Sequence, residues 1–259
     1  MNRRPPLALF VPALVATVFL VLPVAGLLQR MPWSGLGDLL SRDIVVDALG
    51  LSLVVSLSAA ALAFVLGVPL AHLLAHHDFR GRSVVRAVVL LPMVLPPVVG
   101  GVALLFALGR RGLIGQWLDR WFDIALPFTT AGAIVAATFV ALPFLVVTVE
   151  GALHSRDQEL EEAAALLGAR PLTRFVRVTL PAIRPAVVSG IALAWARALG
   201  EFGATITFAG NFQGRTQTLP LATFLALEQD PEAALALSLV LLAISFTVLI
   251  SLRGKIGFR

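Results

Sequence analysis

The chain has 259 residues, 58% of them hydrophobic and 14% charged, whereas an ordinary soluble domain is about 25% charged. With a mean hydropathy of +0.93, that composition excludes a soluble globular domain and places the chain in lipid. It holds no cysteine, which removes disulfide frameworks and thiolate metal sites. Its formal charge of +5 reads as the basic residues that orient membrane spans, not as a nucleic-acid surface.

Because a helix rises about 1.5 Å per residue and the hydrocarbon core is about 30 Å thick, a span needs about 20 apolar residues. Six runs qualify, roughly 8–28, 49–71, 87–109, 128–149, 186–209 and 232–252. The first follows Arg3 and Arg4, but it is longer than a secretory signal's apolar core and lacks an A-x-A site, so it is expected to remain as a span. An even number of spans puts both termini on one side. Placing them in the cytoplasm leaves thirteen basic residues inside (Arg3, Arg4, Arg80, Arg82, Arg86, Arg156, Arg170, Arg174, Arg177, Arg184, Arg253, Lys255 and Arg259) against six outside (Arg30, Arg42, Arg110, Arg111, Arg120 and Arg215), the bias expected of cytoplasmic loops. The expected fold is therefore all-α, a polytopic membrane protein with six transmembrane helices in one domain over 1–259. Pro12, Pro23, Pro69, Pro92, Pro96, Pro97 and Pro143 interrupt the runs, and each removes a backbone donor. Pro96 and Pro97 are candidates for a pathway or gate, since broken helices line membrane pathways.

The longest polar segment, about 150–185, falls on the cytoplasmic side. Ser155 and Gln158 have capping-box spacing, and Asp157, Glu159, Glu161 and Glu162 put negative charge where a helix N-terminus favours it. Leu160, Ala163, Ala164 and Leu167 recur at i, i+3, i+4 and i+7, a narrow apolar stripe with small residues at its centre. Gly168 is placed to close this helix, with Pro171 following. A helix lying on anionic lipid carries Lys or Arg on its polar face. This one carries Glu, so the expected cover for its stripe is a groove on a soluble partner.

The run Glu162-Ala163-Ala164, three residues, Gly168, nine residues and then Val178-Thr179-Leu180-Pro181 resembles the EAA signature of bacterial ABC importer permeases, with Val178 where isoleucine is usual. The resemblance implies the type I ABC importer permease fold. It also makes Glu161, Glu162, Ala163, Ala164, Leu167 and Gly168 parts of a coupling helix that docks on an ATPase. It further implies a homodimer in the cytoplasmic membrane of a prokaryote, two copies of a separate ATP-binding subunit and an extracytoplasmic oxyanion-binding protein, with no cofactor and no catalytic residue in this chain. No G-x-x-x-x-G-K-[ST] occurs, in keeping with ATP being held elsewhere. The stretches LLPMVLPPVVGG over 90–101 and WARALGEFG over 195–203, with the segment 210–220, are similar to the branch that imports molybdate and sulfate. The short chain favours molybdate, with sulfate, thiosulfate and tungstate as alternatives.

Inside the fifth run, Arg197 and Glu201 would each cost roughly 2.5 to 3.5 kcal/mol at mid-bilayer on insertion scales, so they are expected to face the bundle interior. At i and i+4 they can pair. A carboxylate repels a dianion, so Glu201 reads as a packing or gate residue held by Arg197 or by backbone donors, beside Phe202. Gly200 and Gly203 would allow close helix approach or a local break. His72, His76 and His77 read as a solvated face beside Arg80 and Arg82 rather than a metal site, and His154 as an isolated loop residue. Residues 110–127 and 210–231 read as external loops, either contacts for the binding protein or plain connections. Other classes fit less well. An intramembrane enzyme needs more convergent polar groups than Arg197 and Glu201, and a passive channel has no use for the 150–185 segment.

Overall fold

The computed structural model describes residues 7–155 and 159–252, and among them all regular structure is helical. α1 (Leu7–Gln29) is followed by a short α2 (Leu36–Leu40) and by α3 (Asp43–His76), which runs for 34 residues. α4 (Arg82–Val94) and α5 (Pro97–Leu108) divide the third apolar run, and α6 (Gly115–Phe122) lies in the connection to α7 (Thr130–Ser155). The polar segment holds α8 (Glu159–Leu166), α9 (Pro171–Arg174), a π-helical turn over Phe175–Thr179 and α10 (Leu180–Ala182). The fifth run is divided between α11 (Arg184–Leu199) and α12 (Gly203–Phe208), after which α13 (Leu219–Gln229) leads into α14 (Pro231–Leu252). Among the described residues, α1, α3, α7 and α14 are each long and apolar enough to cross a membrane.

α3, α7 and α11 make the centre, and they do so through small residues. Ala59, Ala63 and Ala71 of α3 meet Ala133, Ala137, Ala141 and Leu145 of α7 and Ala194 and Ala198 of α11 in one buried cluster. Lipid tails are as apolar as these side chains, so helices associate here by close fit and by hydrogen bonds rather than by escape from water. Gly67 is one such fit, since a Cβ there would stand 2.7 Å from Leu145 Cδ2. The Trp195 indole N–H donates to Ser56 Oγ at 2.9 Å and ties α11 to α3. A second cluster joins Val45 and Ala48 of α3 to α13 and α14, with Arg42 and Asp230 paired at 2.6 Å at its edge. α1 keeps Val15, Phe19 and Leu20 exposed and stands apart from both clusters.

The third and fifth runs, expected as single spans, are each broken. Leu95 precedes Pro96 and takes the extended conformation (ψ 137) that such a position favours, and Pro97 opens α5 as its first residue. The fifth run stops at Gly200 and restarts at Gly203.

Three further assignments also change. His154 lies in the last turn of α7, with Nε2 3.6 Å from Glu150 Oε1, so it is neither isolated nor in a loop. His72 is not part of a solvated face, since its ring packs on Phe175 at 4.7 Å between centroids. Within 210–231, Thr216, Gln217 and Thr218 are buried, the Leu219 N–H donates to Ser52 Oγ at 2.6 Å, and the Thr130 hydroxyl donates to the Arg215 carbonyl at 2.8 Å. That stretch is a wedge held between α3 and α7. The reading of Gln158 and Asp157 as capping and first-turn residues falls on 156–158, outside the described residues. Ser155 ends α7, where its hydroxyl donates to the Ala152 carbonyl at 3.3 Å.

Candidate functional site

α8 starts on Glu159, Glu161 and Glu162, all in its first turn, where a carboxylate is favoured by the helix dipole. It ends as the glycine spacing predicts. Gly168 takes φ +79, its N–H donates to the Ala165 carbonyl at 2.9 Å, and the Ala169 N–H donates to the Ala164 carbonyl at 3.0 Å. These two bonds form a Schellman closure, which a left-handed glycine makes without steric cost.

The two sides of α8 do different things. Glu161 turns inward, where Oε2 accepts the hydroxyl of the fully buried Thr179 at 3.1 Å, and Ala164 is half-buried beside it. Outward stand Leu160 at 70% exposure, Leu166 at 90% and Leu167 at 88%, with Glu162 and Ala163 exposed between them. Of the residues assigned to coupling, Glu161 therefore holds the helix to its own chain, and Glu162, Ala163 and Leu167 are free to meet something else. Leu166 was not singled out from the sequence, because it falls outside the i, i+3, i+4, i+7 row. The segment from Pro171 to Ala182 then meets α11 at a bend of 78°, so α8 projects from the end of the bundle.

Deeper in the bundle, Glu201 is 2% exposed and lies at the break between α11 and α12. Its Oε2 stands 2.6 Å from Arg197 Nη1, and its Oε1 accepts the Ala204 N–H at 2.8 Å. Both supports named from the sequence are present, an ion pair and a backbone donor. The side chain takes an N–H that a continuous helix would have used, and it places a carboxylate at the start of α12. Phe202 packs its ring on Phe224 at 5.1 Å.

The two breaks meet each other. Gly203 approaches so closely that a Cβ there would be 2.6 Å from Pro97 Cβ, and one at Gly101 would be 2.6 Å from Thr207 Cβ and 2.8 Å from the Ala204 carbonyl oxygen. α5 and α12 are thus locked together, whereas Pro96 and Pro97 remain exposed along the rest of their surface.

Arg197→Ala is expected to lower the thermal stability of the detergent-solubilised protein, and Arg215→Ala, at an exposed position, to leave it unchanged. Removing one partner of a buried pair costs roughly 3–5 kcal/mol, and the effect here should fall at the low end because the Arg197 side chain is 27% exposed. Equal melting temperatures for the two variants would remove Arg197 from the list of special residues.

The described residues thus form a helical bundle in which four helices are long and apolar enough to cross a membrane, one short helix projects from an end, and two broken runs interlock within it. The family described as binding-protein-dependent transport system inner membrane component matches residues 63–254, and the chain belongs to it. The chain is 46% identical to the molybdenum transport system permease protein ModB of Mycobacterium tuberculosis over 248 residues, 95% of this chain and 93% of that one. It is 40% identical to the ModB protein of Haemophilus influenzae, covering 82% and 96% of the two chains. With the sulfate transport system permease protein CysT of Escherichia coli the identity is 36%, over 95% and 91%. Among solved structures, a bacterial ABC transporter that imports alginate superposes with a TM-score of 0.74 at 19% identity, covering 96% and 95%. The MetNI methionine ABC transporter gives 0.64 at 18%, covering 82% and 96%. These two likenesses show the fold.

Proposed function

We propose that the chain is the permease subunit of an ATP-driven importer of molybdate. The observation that carries this reading is the 46% identity to a molybdenum permease along almost the whole of both chains, ten points above the sulfate permease of Escherichia coli. In this reading the chain spans the cytoplasmic membrane six times with both termini inside and works as a homodimer around a central pathway. Two copies of a separate ATPase sit below, and an oxyanion-binding protein sits above. ATP is bound and hydrolysed on the ATPase, and this chain carries no cofactor.

The residues divide the work. Leu160, Glu162, Ala163, Leu166 and Leu167 present the docking face. Glu161 and the Gly168 closure hold that face at a fixed angle to the bundle, so that a push on α8 moves the bundle rather than the helix alone. The Pro96–Pro97 and Gly200–Phe202 breaks are where the spans can change angle, with Arg197 and Glu201 securing the second. Glu201 neutralises Arg197 at 2.6 Å, which supports substrate choice resting on the binding protein rather than on a tight anion site in the membrane.

The test is uptake by vesicles containing the permease with its cognate ATPase and binding protein. Molybdate should be accumulated with ATP, and excess sulfate should compete weakly. Uptake of sulfate at the expense of molybdate would move the chain to the sulfate branch.

A further inference from the structure

α4 is held unusually lightly for a helix of a bundle. None of its residues is buried, and Val84, Val88 and Val94 are largely exposed. Only Val85 and Val89 pack against the central cluster. Among the described residues its one polar attachment to another long helix is Arg86, whose Nε and Nη2 both donate to Glu150 Oε1 on α7, the former at 3.1 Å. Glu150 is 8% exposed and lies 64 residues from Arg86 in sequence. His154 Nε2 stands 3.6 Å from the same oxygen, and Arg82 of α4 is paired with Asp78. A cavity of about 440 Å³ lined by Arg82, Ser83, Arg86 and His154 opens beside the pair.

Position makes this pair more than a packing detail. Glu150 lies five residues from the end of α7, and the chain continues from there into α8. Arg86 sits near the start of α4, whose other end is the Leu95–Pro96 break that leads to α5 and its locked partner α12. Close fit holds apolar helices together in lipid, but α4 makes little of it, with only Val85 and Val89 packed on the central cluster, so its place against α7 leans on the polar contact. A carboxylate buried and held by two donors of one guanidinium does not slide, because separation strands the charge.

We propose that the Arg86–Glu150 pair is the strut by which movement at the base of the docking segment is imposed on α4 and so on the Pro96–Pro97 break. The proposal rests on the reading of α8 as the ATPase-docking helix. Arg86 and Glu150 are positioning residues, not substrate contacts.

The deciding variant replaces both by leucine, Arg86→Leu with Glu150→Leu, in the assembled importer in vesicles. Only the Glu150 side of the pair is buried, at 11% side-chain exposure against 41% for Arg86, and removing both charges together strands neither, so the chain should fold and the ATPase should co-purify. ATP hydrolysis should continue while substrate imported per ATP falls roughly ten-fold, the scale of a typical coupling free energy. Import per ATP equal to the unaltered protein would overturn the strut and leave the pair a structural contact. If the double variant does not accumulate, Arg86→Lys decides. It keeps the charge but not the two-donor grip, and it should import less per ATP with docking intact; unchanged coupling would overturn the proposal. Loss of ATPase co-purification from the unaltered chain would instead strike the docking reading, so the two failures are told apart.

Discussion

Replacing Ala163 by arginine is expected to abolish ATP-driven uptake while the chain remains folded in the membrane. Ala163 is exposed on the outer row of α8 between Leu160 and Leu167, so the longer side chain meets nothing within its own subunit. Arginine is also nearly as good a helix former as alanine, which leaves α8 intact. What changes is the fit against a partner. A charged side chain forced into the centre of a small interface costs more than about 2 kcal/mol, a loss of about thirty-fold in affinity. Co-purification of the ATPase from detergent and substrate-stimulated hydrolysis in vesicles measure it, and normal values of both would end the docking assignment. Gly168→Val acts on the same docking by another route and to a smaller extent. At φ +79 a branched residue costs on the order of 1–2 kcal/mol in backbone strain, although no neighbouring atom lies within 4 Å of its Cβ. That variant should weaken docking without blocking it.

Gly101→Val should strongly damage the packing of α5 on α12. Its Cβ alone would stand 2.8 Å from the Ala204 carbonyl oxygen and 3.1 Å from Ala204 Cα, backbone atoms that move only if α12 moves. Overpacking of this kind typically costs 1–3 kcal/mol, and valine adds two methyls to the clash, so about 3 kcal/mol is expected. Gly151→Ala is the control. Its Cβ meets nothing within 4 Å, and the gain in helix propensity should leave stability equal or raised by up to about 1 kcal/mol. The pair is compared by thermal unfolding in detergent and by uptake. Gly101→Val should lose both, with ATPase docking retained, and a Gly101→Val protein as stable as Gly151→Ala would show that α5 and α12 are not locked at this contact.

Most of the helical architecture was legible because hydropathy is summed over 20 or more residues, and α1, α3 and α14 contain the first, second and sixth runs while α7 covers the fourth from residue 130 onward. The break at Pro96–Pro97 announces itself through missing donors and the restricted residue before them. Gly200 and Gly203 read as either close approach or a local break, and both occur, the break with the Glu201 side chain taking the Ala204 N–H and the approach with Gly203 against Pro97. The Arg197–Glu201 pair was readable because it is local, one turn apart on one helix. Arg86–Glu150 was not, since pairing across 64 residues is set by how α4 and α7 pack. The same reason hid the inward role of Glu161, since a periodicity finds the rows of a helix but not the row that its own chain occupies. Thr216, Gln217 and Thr218 misled in the opposite sense, because polar residues beside glycine read as a solvent-exposed turn until Ser52 and Thr130 are seen to hold the segment down.

The short length of α5 sets the amplitude of any motion at its hinge. Its 12 residues make a rod about 18 Å long at about 1.5 Å per residue. A tilt of about 10° about the Pro96–Pro97 end would therefore carry the Leu108 end through about 3 Å. α12, with 6 residues, is about half as long and swings about half as far. Because the glycine contacts bind α12 along its length to the first turns of α5, a small rotation at the hinge carries both together and becomes a larger sideways sweep at the free end of α5, obtained by leverage and without one helix sliding along another.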